Sequence, residues 1–299
     1  MKFCITYNYI LPNITFITGY ASVAYCFGNY MAAIAKQITS EDESKYKTLI
    51  ELADAHCHLY AFDGSAIADA VAGGVATMIS NGIDTKSNLK TLEVSDGRHV
   101  FPALGIHPDY AENIGDDEIE YNIRLIRENK NIVKSIGEIG LDFTHANGIK
   151  GIEKQIALFE TFIDLSNELN LPISVHSRDA MQQVLHILDE KDAHAVHLHF
   201  FEGNVDNAIE AARRGYMISV PPLKSGSRTS AIKAVPIGNL MAETDSPTAN
   251  SSPSDVDKAV SIIADAKGMR YEDAAHILTE NTKRFFNIST AKFMRNAGP

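Results

Sequence analysis

The stretch Asp54-Ala55-His56-Cys57-His58 decides how the rest of the chain is read. It closes an apolar, strand-like run that begins at Leu49. Side chains alternate along a strand, so Asp54, His56 and His58 are expected on one face and Ala55 and Cys57 on the other. Two imidazoles on one face suit a single divalent ion, because neutral imidazole is the commonest side-chain metal ligand. An open doubly wound sheet would usually carry a glycine-rich phosphate turn after its first strand. Here the strand ends in metal-ligand residues instead. A lone His-x-His also arises by chance, and its weight depends on what the other strands do. Asp54 is read as a structural residue and Cys57 as a small buried hydrophobe.

Outward from this strand, short apolar runs alternate with longer amphipathic segments, the pattern of βα units around a parallel sheet. The runs predict strands at 49–55, 74–79, 100–104, 132–139, 172–175, 195–198, 216–219 and 239–242. Helices are expected at 151–169, 180–189, 205–213, 254–267 and 271–286, with Ser254 and Asp257 marking the start of the fourth. Eight units in roughly 250 residues suggest a closed (β/α)8 TIM barrel, since closure leaves no exposed sheet edge.

The 299-residue chain is 45% apolar and 22% charged, which excludes a disordered, collagen-like or coiled-coil protein. Its net charge of −11 excludes a broad electrostatic grip on nucleic acid, although a local basic pocket or bound cations could still hold phosphate. Three cysteines are too few and scattered for a disulfide framework or a Cys-rich zinc site, and eleven histidines are the more informative count. Residues 1–48 are expected to form an atypical extension, ahead of a barrel domain at 49–299. Phe3–Ala35 holds no Asp, Glu, Lys or Arg, so it is long enough to span a bilayer or serve as a leader. Pro12, Asn8, Asn13, Gly19 and Gly28 interrupt it, which favours an added tail with Met31 as an alternative start. A cytoplasmic location without stable membrane association is therefore expected.

The C-terminal ends of the candidate strands repeat the theme of the first. They read Gly105-Ile106-His107-Pro108, Gly137-Glu138-Ile139-Gly140-Leu141-Asp142, His176-Ser177-Arg178, His199, and Glu243-Thr244-Asp245-Ser246-Pro247. Barrel enzymes place their chemistry at this face. Several imidazoles with two carboxylates suit a dinuclear centre in which one carboxylate bridges cations roughly 3.5–4 Å apart. Mixed nitrogen and oxygen ligands suit Zn²⁺, Mn²⁺ or Fe, and Mg²⁺ where it is abundant.

With these motifs in order, residues 52–286 resemble the TatD family of metal-dependent hydrolases and deoxyribonucleases, within the amidohydrolase-like barrels. Pro172 ahead of His176, the His199 to Gly203 turn and the closing Asn281-Thr282 and Phe285 complete the match. The resemblance implies two divalent ions per chain and cleavage of DNA, as single strands or ends. It implies that His56 and His58 bind the first metal, Glu138 bridges, and His176 and His199 bind the second. Asp245 would bind the first metal and contact the attacking water. The chemistry of the residues agrees: cations acidify a water, and a nearby carboxylate takes its proton. His107 and Arg178 then stand where a phosphate is gripped, Arg178 by its forked guanidinium.

The rim departs from the family's usual pattern. Asp109 replaces a histidine after Gly-Ile-His-Pro, and His199-Phe200-Phe201-Glu202-Gly203 stands for His-Cys-Phe-Ser-Gly. An Arg-Asn-x-Pro element is lacking. The alternatives are a barrel hydrolase of a small ester, amide or phosphate compound, and a non-catalytic scaffold. Glu138 occupies the place of the carbamylated lysine many such barrels use, with Lys134 a layer lower, which favours the nuclease-like branch. His197 is read as a core residue, Asp142 as a loop cap, and His99, His145, His186, His194 and His276 as ordinary. Gly137 and Gly140 are expected to let backbone pass close to the metals. The oligomeric state is left open.

Overall fold

In a computed structural model, which describes residues 50–289, eight parallel strands pair in chain order. They are β1 Leu52–Cys57, β2 Val75–Asn81, β3 Val100–Leu104, β4 Ser135–Asp142, β5 Ile173–Arg178, β6 Val196–Leu198, β7 Met217–Val220 and β8 Leu240–Ala242. The helices are α1 Gly64–Ala72, α2 Thr85–Val94, α3 Asp116–Glu128, α4 Gly148–Leu169, α5 Met181–Glu190, α6 Val205–Arg213, α7 Gly226–Ala234, α8 Val256–Lys267 and α9 Tyr271–Phe285. This is the (β/α)8 barrel the sequence predicts. The expected extension at 1–48 and the alternative start at Met31 lie outside the described residues. Among the described residues, no helix is long and apolar enough to cross a membrane.

The barrel closes at its C-terminal end through the segment after β8. Asp245 N–H donates to the His56 carbonyl at 2.9 Å, and His58 N–H donates to the Ser246 carbonyl at 2.8 Å. Asp54 locks the same seam: its carboxylate accepts from the Thr244 amide at 2.9 Å and hydroxyl at 2.5 Å. Burial lifts the Asp54 carboxyl to about 7 against these hydrogen bonds. Its work is structural, as expected, and it fixes the two segments that carry His56, His58 and Asp245.

Strict alternation does not hold along β1. Asp54 pairs Met78 and Cys57 pairs Ser80, so three residues of β1 advance against two of β2. That is a β-bulge. Ala55 therefore packs with Ile79, Phe101, Ala103, Met217, Met241 and Phe286, the small cluster that fills the barrel floor. Cys57 joins the larger core between barrel and helices. β4 carries a second bulge, since Ile136 pairs Ile173 and Ile139 pairs Val175. The extra residue falls at Gly137-Glu138, where a Cβ on Gly137 would stand 2.7 Å from the Ser174 Cβ. Gly140 has φ +143°, and a Cβ there would meet the His176 carbonyl oxygen at 2.1 Å. These glycines admit the neighbouring strand β5.

Several boundaries also move. β4 and β5 run three residues further toward the mouth than predicted and β1 two, because Cys57, Asp142 and Arg178 themselves join the ladder. The capping box expected from Ser254 is made instead by Ser252 and Asp255, on the short 3₁₀ turn that precedes α8.

Candidate metal centre

Glu138, on β4, is the hub of the mouth, 3% exposed. Its Oε2 lies 3.4 Å from His56 Nε2 and 3.5 Å from His58 Nε2. Its Oε1 lies 2.8 Å from His199 Nε2 and 3.0 Å from His176 Nδ1. Asp245 Oδ1 faces the first pair, 3.7 Å from His56 Nε2 and 3.2 Å from His58 Nε2. Its backbone sits at φ +50°, a conformation that non-glycine residues adopt mainly at constrained sites. All six expected ligand side chains thus meet in one place.

The outer nitrogens of His58 and His176 are held by partners that set the ring orientation. His58 Nδ1 donates to the Asn81 carbonyl at 2.8 Å, which leaves Nε2 facing the carboxylates. His176 Nε2 lies 3.0 Å from Asp142 Oδ2, which leaves Nδ1 facing Glu138. His107 differs. Its Nδ1 accepts from the Asp109 amide at 3.2 Å, so a neutral ring carries its proton on Nε2, 3.4 Å from Glu138 Oε1. A ring fixed as an Nε2 donor suits a phosphoryl oxygen better than a cation.

The geometry also speaks for a cation. His56 Nδ1 contacts Ser174 Oγ at 3.0 Å, and Ser174 Oγ contacts His197 Nδ1 at 3.2 Å. His197 Nε2 contacts Ser219 Oγ at 2.6 Å, and Ser219 donates to Glu243 at 2.7 Å. When the protons of this buried chain run toward Glu243, His56 Nδ1 donates and Nε2 is left with a lone pair. Burial, with His199 nearby, lowers the His56 pKa to about 3, so the ring holds no second proton. Nε2 is buried without a hydrogen-bond partner and aims at two acceptor-only carboxylates. A cation among these atoms would satisfy every one of them.

Charge is pooled accordingly. Although burial opposes it, the imidazoles around Glu138, His199 foremost, hold its carboxyl well below the usual range. Burial likewise works against Asp245, but the His58 hydrogen bond keeps it low. Burial would depress His58 and His176; the carboxylates facing them outweigh it and raise both to about 9.

Sequence reading left several contributors unassigned. Asp142 caps the following loop through the His145 amide at 3.0 Å, as expected, and also orients His176. His145, read as ordinary, borders the site cavity, with Nδ1 3.1 Å from Asp142 and 3.4 Å from Asp109. Ser174, Ser219 and Glu243 form the chain beneath His56, and His197 is the hydrogen-bonded core residue predicted. The available signal was positional: Ser174 and His197 each stand two residues before a ligand, hence one layer deeper on the same face. Lys134 has its Nζ over the Phe101 ring of the floor. The cavity over the hub measures about 390 Å³ and is bordered by His107, Arg178, Asp109 and Glu202.

A family model described as "TatD related DNase" matches residues 53–287. The human "Deoxyribonuclease TATDN3" is 29% identical over 260 residues, 79% of this chain and 95% of that protein. The "Uncharacterized metal-dependent hydrolase YabD" of Bacillus subtilis (strain 168) is 31% identical over 258 residues, 80% of this chain and 100% of that protein. The crystal structure of YjjV, a TatD homologue from Escherichia coli K12, superposes with a TM-score of 0.73 at 23% identity. It covers 80% of this chain and 99% of its own, a likeness of fold.

Proposed function

Since the chain belongs to the TatD-related DNase family, we propose that it is a metal-dependent hydrolase that cleaves DNA phosphodiester bonds at a pair of divalent cations. His56, His58 and Asp245 would hold the first cation and His176 and His199 the second, with Glu138 placed to serve both. The carrying observation is that the two oxygens of Glu138 face separate imidazole pairs, 3.4 and 3.5 Å on one side and 2.8 and 3.0 Å on the other. Zn²⁺, Mn²⁺ and Mg²⁺ are the candidate ions.

When bound, the cations supply a Lewis acid for a phosphoryl oxygen and acidify a water. Asp245, held ionised by His58, is the carboxylate placed to accept the water's proton. His107 donates from Nε2 to the phosphate. Arg178, at the cavity wall, offers its fork to the same group, steadied by Asp142 3.9 Å away. The human relative named a deoxyribonuclease supports DNA as substrate, with single strands or ends the forms that reach a recessed mouth. The scarcity of cysteine suits a reducing, cytoplasmic compartment.

The test is a panel: purified full chain with Mg²⁺, Mn²⁺ or Zn²⁺ on single-stranded DNA and on a generic carboxylic ester. Metal-dependent release of nucleotides is expected. Ester turnover without DNA cleavage under any ion contradicts the reading.

A further inference from the structure

A second cavity of about 1010 Å³ adjoins the metal cavity and shares Ser177, Arg178, Phe200, Glu202 and Thr248 with it. Phe200 stands at the junction and borders a third, smaller hollow as well. Its backbone is in the left-handed region at φ +43°, where a bulky residue is rare and needs outside support. That support is Glu243, whose carboxylate accepts the Phe200 amide at 2.5 Å. The ring rests on the Arg228 guanidinium, 5.3 Å from Cζ to centroid. Arg228 is itself buried and locked, donating to the Phe201 carbonyl at 3.2 Å and the Leu223 carbonyl at 2.7 Å. A partly exposed aromatic plate is therefore fixed in orientation at the exit from the phosphate-cleaving site.

The charges of this groove do not suit a grip on phosphates. Arg228 faces Glu202 at 3.9 Å, Asp179 also lines the wall, and the whole chain is strongly acidic. A flat ring between countered charges suits the uncharged face of a base, since stacking needs no net positive field. We propose that Phe200 is the stacking platform for the nucleobase next to the cleaved phosphodiester, and that the groove beyond it receives the adjoining nucleotide. The inference rests on the phosphodiesterase reading for its substrate class. It goes further in assigning substrate preference to Phe200, outside the ligand set.

The test uses the full chain, metal-free for binding and quenching and Mn²⁺-loaded for cleavage, with two short single strands. One alternates thymine with 2-aminopurine, whose fluorescence is quenched by stacking; the other carries abasic residues in place of 2-aminopurine. Wild type is expected to quench the first strand and to prefer it about tenfold by Kd, near the lower end of what one stacked base contributes. Phe200→Leu should lose the quench and reduce the preference to within twofold, and Phe200→Tyr should restore both. Wild type that binds both strands equally, or a Phe200→Leu protein that still quenches and discriminates, overturns the proposal. Absence of DNA cleavage by wild type with every divalent ion sinks the phosphodiesterase reading instead, and the quench then reports on the groove by itself.

Discussion

The two sides of Glu138 carry negative charge in different ways. On the β1 side the rings lean on neutral partners, the Ser174 hydroxyl and the Asn81 carbonyl, and a carboxylate, Asp245, faces the ligand atoms directly. On the β5 and β6 side, among the described residues, no second carboxylate faces the ligand atoms, and charge arrives through the His176 ring. Asp142 lies behind His176. One side supplies charge by contact, the other by making an imidazole more basic. The first side is built into the seam that closes the barrel, so it is also the one the fold itself holds in place.

The largest effect tests what the sides share. Glu138→Ala is expected to lower turnover on the order of 10³-fold or more, as for groups that act as a unit. Bound metal should fall below one ion per chain by elemental analysis; full metal content would separate the two sides. Next comes Asp245→Asn, expected to reduce kcat by about 10²- to 10⁴-fold, the range of a lost general base. At least one ion should remain, and steady-state kinetics that match wild type would remove Asp245 from the chemistry.

Asp142→Asn sharpens the contrast. One ion should bind about 10- to 100-fold more weakly by titration calorimetry, the usual effect of losing a carboxylate behind a ligating histidine. The other ion should keep its affinity. Equal weakening of both would erase the difference between the sides.

Acidity gives the smallest effect and one from each side. Without cations, the folded site keeps His58 and His176 protonated up to about 9, above the ordinary imidazole value of 6.5. That stabilisation is complete below 6.5 and is lost as pH rises through about 9. A cation must displace these protons, so apparent affinity should rise with pH and level off near 9. Calorimetry in two buffers of different ionisation enthalpy should register proton release at pH 7.5, and none would contradict the assignment of both rings.

Much of this was legible in the sequence because six of the eight barrel strands end in or just before ionisable residues, and the fold gathers those ends whatever the loops do. Strand ends were less legible. Asp142 and Arg178 look like stops, yet they pair, since an inward side chain at the mouth can be polar without breaking the ladder. The bulges at Ala55-His56 and Gly137-Glu138 were invisible, because alternation cannot mark an extra residue. The chain from His56 to Glu243 was equally hidden: Ser174 and Ser219 are common residues that acquire meaning only when adjacent strands set their register. The link between Asp142 and His176 depends on the shifted pairing of β4 with β5 in the same way.

The central claim, that Glu138 stands between two cations, is tested most directly by anomalous diffraction from crystals of the full chain grown with Mn²⁺. The account expects two peaks roughly 3.5–4 Å apart. One should lie by His56, His58 and Asp245, the other by His176 and His199, with Glu138 touching both. A single peak, or two that do not share Glu138, would contradict it.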